Sequence, residues 1–253
     1  MSQQRARPVF SLFRFTASDR AAVRRPASFW RKPLLSLVSA GMLALTLAAC
    51  GSTGGTTSGG AVKTGGTLNV GLDSDVVRLD PVKSTALVDR QVMLNIYDTL
   101  VRVDAQNKIQ PDLATSWSYT SPTQLVFTLR SDVKFQDGTP FNADAVVVNI
   151  NRILNDHTSP RFSEISSVAS VQAVDPTHVQ FNLSKPFGPL LAALTDRAGM
   201  MLSPTAIASG EDLVNAPKNA GSGPFEFVDW VKGDHLTLQR NPNYWAKSST
   251  GAS

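Results

Sequence analysis

From Thr67 to Leu72, apolar residues alternate with small or polar ones, and Leu68, Val70 and Leu72 fall on one face, the period of a half-buried strand. Asp73 to Ser84 breaks that alternation and reads as a polar loop. Between Thr85 and Leu100 the period lengthens: Leu87, Leu94 and Tyr97, with Met93, Ile96 and Leu100 alongside, recur at helical spacing and predict a helix on a core. Strands follow at Trp117 to Thr120 and at Gln124 to Arg130, where Leu125, Phe127 and Leu129 alternate, and Asp137-Gly138 marks a turn. Asn142 is placed to cap a helix from Ala143 to about Asn155 with Val146, Ile150 and Ile153 on one stripe. Val168 to Val174 and His178 to Leu183, separated by Asp-Pro-Thr, predict a hairpin. Pro189 to Thr195 reads as a short helix and Ala198 to Leu202 as a buried strand. Phe225 to Val231 and His235 to Arg240 form a second hairpin around Lys232-Gly233-Asp234. Strands and helices mix without strict βαβ alternation, and no internal repeat is visible.

The N-terminal region has a different pattern. Arg31 and Lys32 precede Pro33, and Leu34 to Ala49 (LLSLVSAGMLALTLAA) carries no charge. This apolar run has signal-peptide length and falls short of the roughly 20 residues of a bilayer span. It ends Leu47, Ala48, Ala49, Cys50, which resembles the lipobox of bacterial lipoproteins, and Cys50 is the only cysteine. A lone thiol in an exported protein cannot close a disulfide within its own chain, and lipidation accounts for it. An ordinary secretory signal with a coincidental Cys50, or an uncleaved anchor, are the alternatives. The Arg24-Arg25 pair is a weak match to a twin-arginine signal. Residues 50–63, dominated by Gly, Ser and Thr, read as a flexible tether.

Composition sharpens this picture. A chain of 253 residues with 42% hydrophobic and 17% charged residues can bury a real core. Its formal charge of +4 would point to an acidic partner, but residues 1 to 49 hold eight basic groups and one acid, leaving 16 basic and 19 acidic groups beyond. The body is therefore mildly acidic, which argues against a nucleic-acid partner. His157, His178 and His235 are scattered without zinc-protease spacing, and no G-x-S-x-G elbow, Walker A loop or dinucleotide fingerprint occurs. Asp73 and Asp75 could serve acid–base chemistry, but a polar loop or ligand contact is the preferred reading. A non-enzymatic binding protein without cofactor or metal is expected, with a secreted hydrolase as the rival class.

Four segments carry a family resemblance: TGGTLNVGLDSDVVRLDPVKS (64–84), IYDTLVRVDAQNKIQPDLATSWSY (96–119), LVFTLRSDVKFQDGTPFNADAVVVNINRIL (125–154) and GSGPFEFVDWVKGDHLTLQRNPNYW (221–245). In content and order they resemble the extracellular solute-binding proteins of family 5, the oligopeptide, dipeptide and nickel receptors of ABC importers. The resemblance implies a type II periplasmic-binding-protein-like α/β fold with a mixed sheet, comprising the first lobe and the extra family domain. It divides the chain into a lipoprotein signal peptide (1–49), a tether (50–63), the N-terminal part of a solute-binding domain (64–245) and a polar tail (246–253). Relatives continue past their Asn-Pro-Asn-Tyr-Trp motif into a second lobe, so that lobe is expected to be missing here, with solute affinity of millimolar order or weaker.

The implied function is a lipid-anchored, extracytoplasmic receptor, on the periplasmic side or outer face of the cell membrane, that passes peptides or similar small solutes to ABC permease subunits. A non-binding remnant and a sensing or structural lipoprotein are the alternatives. Relatives use the loop before Leu-Asp-Pro to contact ligand backbone, which points to Ser74, Asp75, Val76 and Val77, with Asp75 as the contact for a cation or amine. Gly221, Ser222 and Gly223 either present backbone N–H groups to a ligand carboxylate or form a plain turn.

Overall fold

The computed structural model describes residues 11–15 and 65–246. Cys50, the tether, the polar tail beyond Ala246 and the rest of the N-terminal segment lie outside the described residues. Within them no helix is long and apolar enough to cross a membrane.

The central layer is a four-stranded sheet of β5 (Ala114–Ser121), β6 (Gln124–Leu129), β8 (His178–Leu183) and β7 (Val168–Asp175), in the order β5-β6-β8-β7. Alternation dictates its packing: Leu125, Phe127 and Leu129 of β6 and Val179, Phe181 and Leu183 of β8 all point to the buried face. Phe127 meets Phe181 edge to face at 5.2 Å between ring centres, and residues 127 and 179 pair across the strands. Helix α2 (Ala143–Leu154) covers this face with Val146, Ile150 and Ile153. Its start is set as the sequence predicts, by Asn142, whose side chain accepts from the Ala145 N–H at 2.9 Å. Every ladder among the described residues is antiparallel, which corrects the expected mixed sheet. Hairpins join β5 to β6 and β7 to β8, and the excursion through α2 brings β8 back antiparallel to β6.

A second core lies beneath α1 (Leu87–Ile96), bounded by Val76, Leu79, Met200, Leu202 and the hairpin of β9 (Phe225–Val231) and β10 (His235–Arg240). Here the sequence reading needs correction. Leu87 and Leu94, placed on the core face by spacing, are 65% and 40% exposed, and the buried stripe is Val88, Val92, Met93 and Ile96. Two apolar stripes compete on this helix, and the one facing Met200 and Phe227 wins. The helix also stops at Ile96 rather than Leu100, because Tyr97 turns extended and Thr99 bridges to Met200. The predicted strand from Ala198 to Leu202 is instead a 3-10 turn at Arg197–Gly199 followed by that single bridge.

Smaller elements complete the described residues: β2 (Leu68–Leu72) pairs with β1 (Ser11–Phe15), a strand within the segment expected to be removed as a signal peptide, β3 (Val101–Val103) pairs with β4 (Ile109–Pro111), and α3 (Pro160–Glu164), α4 (Leu190–Ala193) and α5 (Pro204–Ala208) are short. Ser159 and Ser203 cap α3 and α5, each ahead of a Pro at the first helical position. The choice of stripe on α1 is testable by chemical denaturation. Met93→Ala is expected to cost about 2–5 kcal/mol, whereas Leu87→Ala should change stability by no more than about 0.5 kcal/mol.

Candidate functional site

The polar loop that follows β2 is fastened by three groups. The Val77 N–H donates to Asp89 Oδ1 at 2.7 Å, while Val76 is buried in the core beneath α1. Asp75 is engaged within the protein: Oδ1 accepts from the Trp230 indole N–H at 3.3 Å and Oδ2 from the Gly233 N–H at 2.6 Å. Of the four loop residues singled out by sequence, only Ser74 and Val77, whose exposure is 53%, face solvent. Asp80, further along, is buried and forms a bidentate pair with Arg152 of α2. A groove of about 430 Å³ runs beside this loop, between β2, α1 and β10, with Leu72, Asp73, Gln91, Asn95 and Leu238 among its walls.

The same hydrogen-bond chain leads to a cluster that the sequence reading missed. Asp89 Oδ2 accepts from the Ser84 hydroxyl at 2.9 Å, and Ser84 Oγ in turn lies 3.4 Å from Nη1 of Arg197, which also donates to the Ala86 carbonyl at 3.1 Å. Arg197 is only 13% exposed and has Asp196 3.5 Å from its Nε, while Asp196 accepts from Arg90 at 2.8 Å. Packed against this turn, α3 contributes Arg161, 7% exposed and paired with Glu164 at 2.8 Å. The Nε atoms of both arginines are buried with no hydrogen-bond acceptor. Burial, reinforced by the charge of Arg197, holds the Arg161 guanidinium below its usual value, and burial pushes Glu164 up. Two guanidinium groups in one neighbourhood, each with a buried Nε that lacks an acceptor, concentrate positive charge there, and the guanidinium fork matches an oxygen-rich anion. The sequence signal was faint: Asp196-Arg197 lies in an otherwise apolar stretch, and Arg161 is one arginine among many.

Gly221, Ser222 and Gly223 are buried against the end of α1. The Gly223 N–H donates to the Ile96 carbonyl at 2.9 Å, and the Gly221 carbonyl accepts from Gln136 at 2.8 Å. The structure therefore uses this segment as a packed corner and does not bring it to the Ser74–Val77 loop. Ser222 donates instead to Asp98, whose carboxylate also accepts from Tyr244 at 3.1 Å and from the Trp245 indole at 2.8 Å. Burial first, then the neighbouring Asp112, raises Asp98 to about 7, partly offset by those three donors.

No group of three or more His, Cys, Asp or Glu side chains gathers as metal ligands among the described residues.

The family described as "Bacterial extracellular solute-binding proteins, family 5 Middle" matches residues 108–251. The chain is 32% identical over 181 residues to "Glutathione-binding protein GsiB" of Escherichia coli (strain K12), a match covering 70% of this chain and 35% of that protein. Among solved structures, OppA of Burkholderia pseudomallei superposes with a TM-score of 0.64 at 22% identity, over 69% of this chain and 38% of that one, which shows the fold. NikZ from Campylobacter jejuni, in complex with Ni(L-His), gives 0.59 at 29% identity, over 67% of this chain and 34% of that one. The chain thus spans about a third of the length of the relatives it matches.

The Asp98 carboxyl makes stability depend on pH. Because its folded value lies above the unfolded 3.8, its stabilising contribution is complete below about pH 4 and is lost as pH rises through about 7. The unfolding free energy of the wild type should fall over this window by up to about 4 kcal/mol relative to Asp98→Asn, which stays neutral throughout. Parallel pH profiles for the two proteins would contradict the assignment.

Proposed function

Because the chain belongs to family 5 of the bacterial extracellular solute-binding proteins, we propose that it is the receptor part of an ABC importer that captures a small, carboxylate-bearing solute for a permease. Members of the family are extracytoplasmic transport receptors and not enzymes. The observation that carries the choice of solute is Arg197, pinned by Ser84 and Ala86 and linked to the Ser74–Val77 loop through Ser84 and Asp89, with a second buried arginine in its neighbourhood. In this reading Ser74 and the exposed Val77 side chain form one edge of the solute site, and Arg197 supplies the charge-assisted hydrogen bond to the carboxylate. Glutathione and histidine, named for two relatives, both carry carboxylates. Peptides fall within the same chemistry. The Gly221–Gly223 segment supports the wall from behind, since the Gly223 N–H and the Gly221 and Gly223 carbonyls are already hydrogen-bonded within the protein.

The receptor is held at the membrane by diacylglycerol on Cys50, followed by the tether of residues 50–63. The support for this lies in the sequence: basic flank, uncharged run, small residues and sole cysteine. A single saturated chain anchors only marginally, so several acyl chains are required.

Two measurements test these readings. Titration of the protein with glutathione, followed by NMR shifts that register millimolar affinity, should give saturable changes around Ser74, Val77 and Arg197. Arg197→Ala should weaken that affinity by about 10- to 100-fold, the value of a hydrogen bond to a charged group, and an unaltered affinity would remove Arg197 from the site. Mass spectrometry of the membrane-extracted protein should find a lipid-modified peptide beginning at Cys50. An unmodified Cys50 still preceded by Ala49 would refute the anchor.

A further inference from the structure

Asp75 is the loop residue that sequence offered as a solute contact, yet its carboxylate binds a hairpin more than 150 residues away in the chain. One donor is the indole N–H of Trp230, near the end of β9. The other is the backbone N–H of Gly233, which occupies the left-handed region at φ +79° in the turn to β10. No atom lies within 4 Å of where a Cβ would stand at Gly233, so glycine is required there by backbone conformation and not by space.

The tip of the hairpin makes further contacts of its own. Lys232 reaches Asn215 at 2.8 Å and lies 4.8 Å over the Trp230 ring. His235 is bracketed by Asp234 at 2.9 Å and Asp229 at 3.1 Å. On the other side, the loop is held by the Val77 N–H to Asp89 and by Val76 in the core. The hairpin tip thus meets the loop one residue after Ser74 and two before Val77, the residues whose side chains face solvent.

We propose that Asp75 is a positioning residue, joining the tip of the β9–β10 hairpin to the Ser74–Val77 loop and so fixing the loop's solute-facing edge, and that it does not contact the solute. This role rests on the reading of that loop as part of the solute site. It follows from hydrogen-bond geometry: each Asp75 oxygen already serves a donor of the protein, so swinging the carboxylate towards a solute would loosen its hold on the Trp230 indole and the Gly233 N–H. The return is preorganisation, since a loop already set in its binding geometry loses less conformational entropy when a solute arrives.

The test begins without solute. In the intact protein, hydrogen exchange at the Gly233 amide and the Trp230 indole should accelerate at least tenfold in Asp75→Ala. In the same variant the Ser74 and Val77 amide resonances should shift. Asp75→Asn, which keeps one acceptor oxygen, should retain protection at one of the two N–H groups, whereas loss of a purely ionic contact would make Asn behave as Ala. Trp230→Phe, which keeps the ring and removes the donor, should move the same Ser74 and Val77 resonances. Unchanged exchange in Asp75→Ala overturns the proposal whether or not any solute binds.

With glutathione as probe, Asp75→Ala and Trp230→Phe should each weaken binding several-fold, and the double variant should be no weaker than the worse single one. Weakening by Asp75→Ala alone, with Trp230→Phe at wild-type affinity, would make Asp75 a direct contact and refute the positioning role. Faster exchange with no loss of affinity in either variant refutes it as well. A wild type that gives no shifts with glutathione counts against the choice of solute, while the exchange and resonance measurements still decide the joint.

Discussion

The close approach of Gly221 and Gly223 to the last turn of α1 governs how the two ends of the described body fit together. A Cβ at Gly221 would sit 1.9 Å from the Ile96 carbonyl oxygen, and one at Gly223 would sit 2.7 Å from the same oxygen. No side chain fits, so backbone lies on backbone and the Gly223 N–H satisfies a carbonyl that the helix end leaves free. From that contact β9 runs out along α1, and Asn241 returns to hydrogen-bond the Gly223 carbonyl at 3.0 Å. The Tyr244-Trp245 corner is then brought onto Asp98. Displacing the two glycines would separate the hairpin from the helix and with it the Asp75 joint.

Between the two cores the loop from Asp73 to Ser84 acts as a strap more than as a solvated connection. Asp80 is held by Arg152 of α2, Lys83 by Asp156 just beyond that helix, and the Val82 carbonyl by the buried Ser159 hydroxyl. These ties reach the sheet-and-α2 core, while Val76 and Leu79 enter the core under α1. The buried Asp80 pair gains from its bidentate geometry, and its chief consequence is that register between the cores is specified. The same segment also reaches the arginine cluster, since Ser84 at the end of the strap contacts Arg197.

This arrangement suits a receptor. Its polar groups are arranged to hold geometry, with carboxylates tied to backbone and indole donors, Arg197 held by Ser84 and Ala86 and Arg161 by Glu164. In the proposed site, one wall is built from distant segments, with Ser74 and Val77 at its exposed edge. Relatives run to nearly three times the matched length.

Sequence alone determined the elements whose periodicity is strong and whose ends are chemically marked. The β6 and β8 alternation, the Asn142 cap of α2 and the turn at Lys232-Gly233-Asp234 are local, each set by residues within a few positions of one another. The family was legible for the same reason, since its motifs are contiguous strings. Tertiary structure decided what depends on partners far along the chain. On α1 two apolar stripes satisfy the same spacing, and only the position of Met200 and Phe227 buries Val88 and Val92 and leaves Leu87 in solvent. The glycines of the 221–223 segment fit a ligand-facing turn or a packed corner equally well until Ile96 is placed beneath them. Asp75 looked free because its donors lie 155 and 158 residues away. Arg161 and Arg197 became a pair only when α3 packed against the 3-10 turn. Hydrophobic period is a property of the chain, whereas the partner of a polar group is a property of the fold.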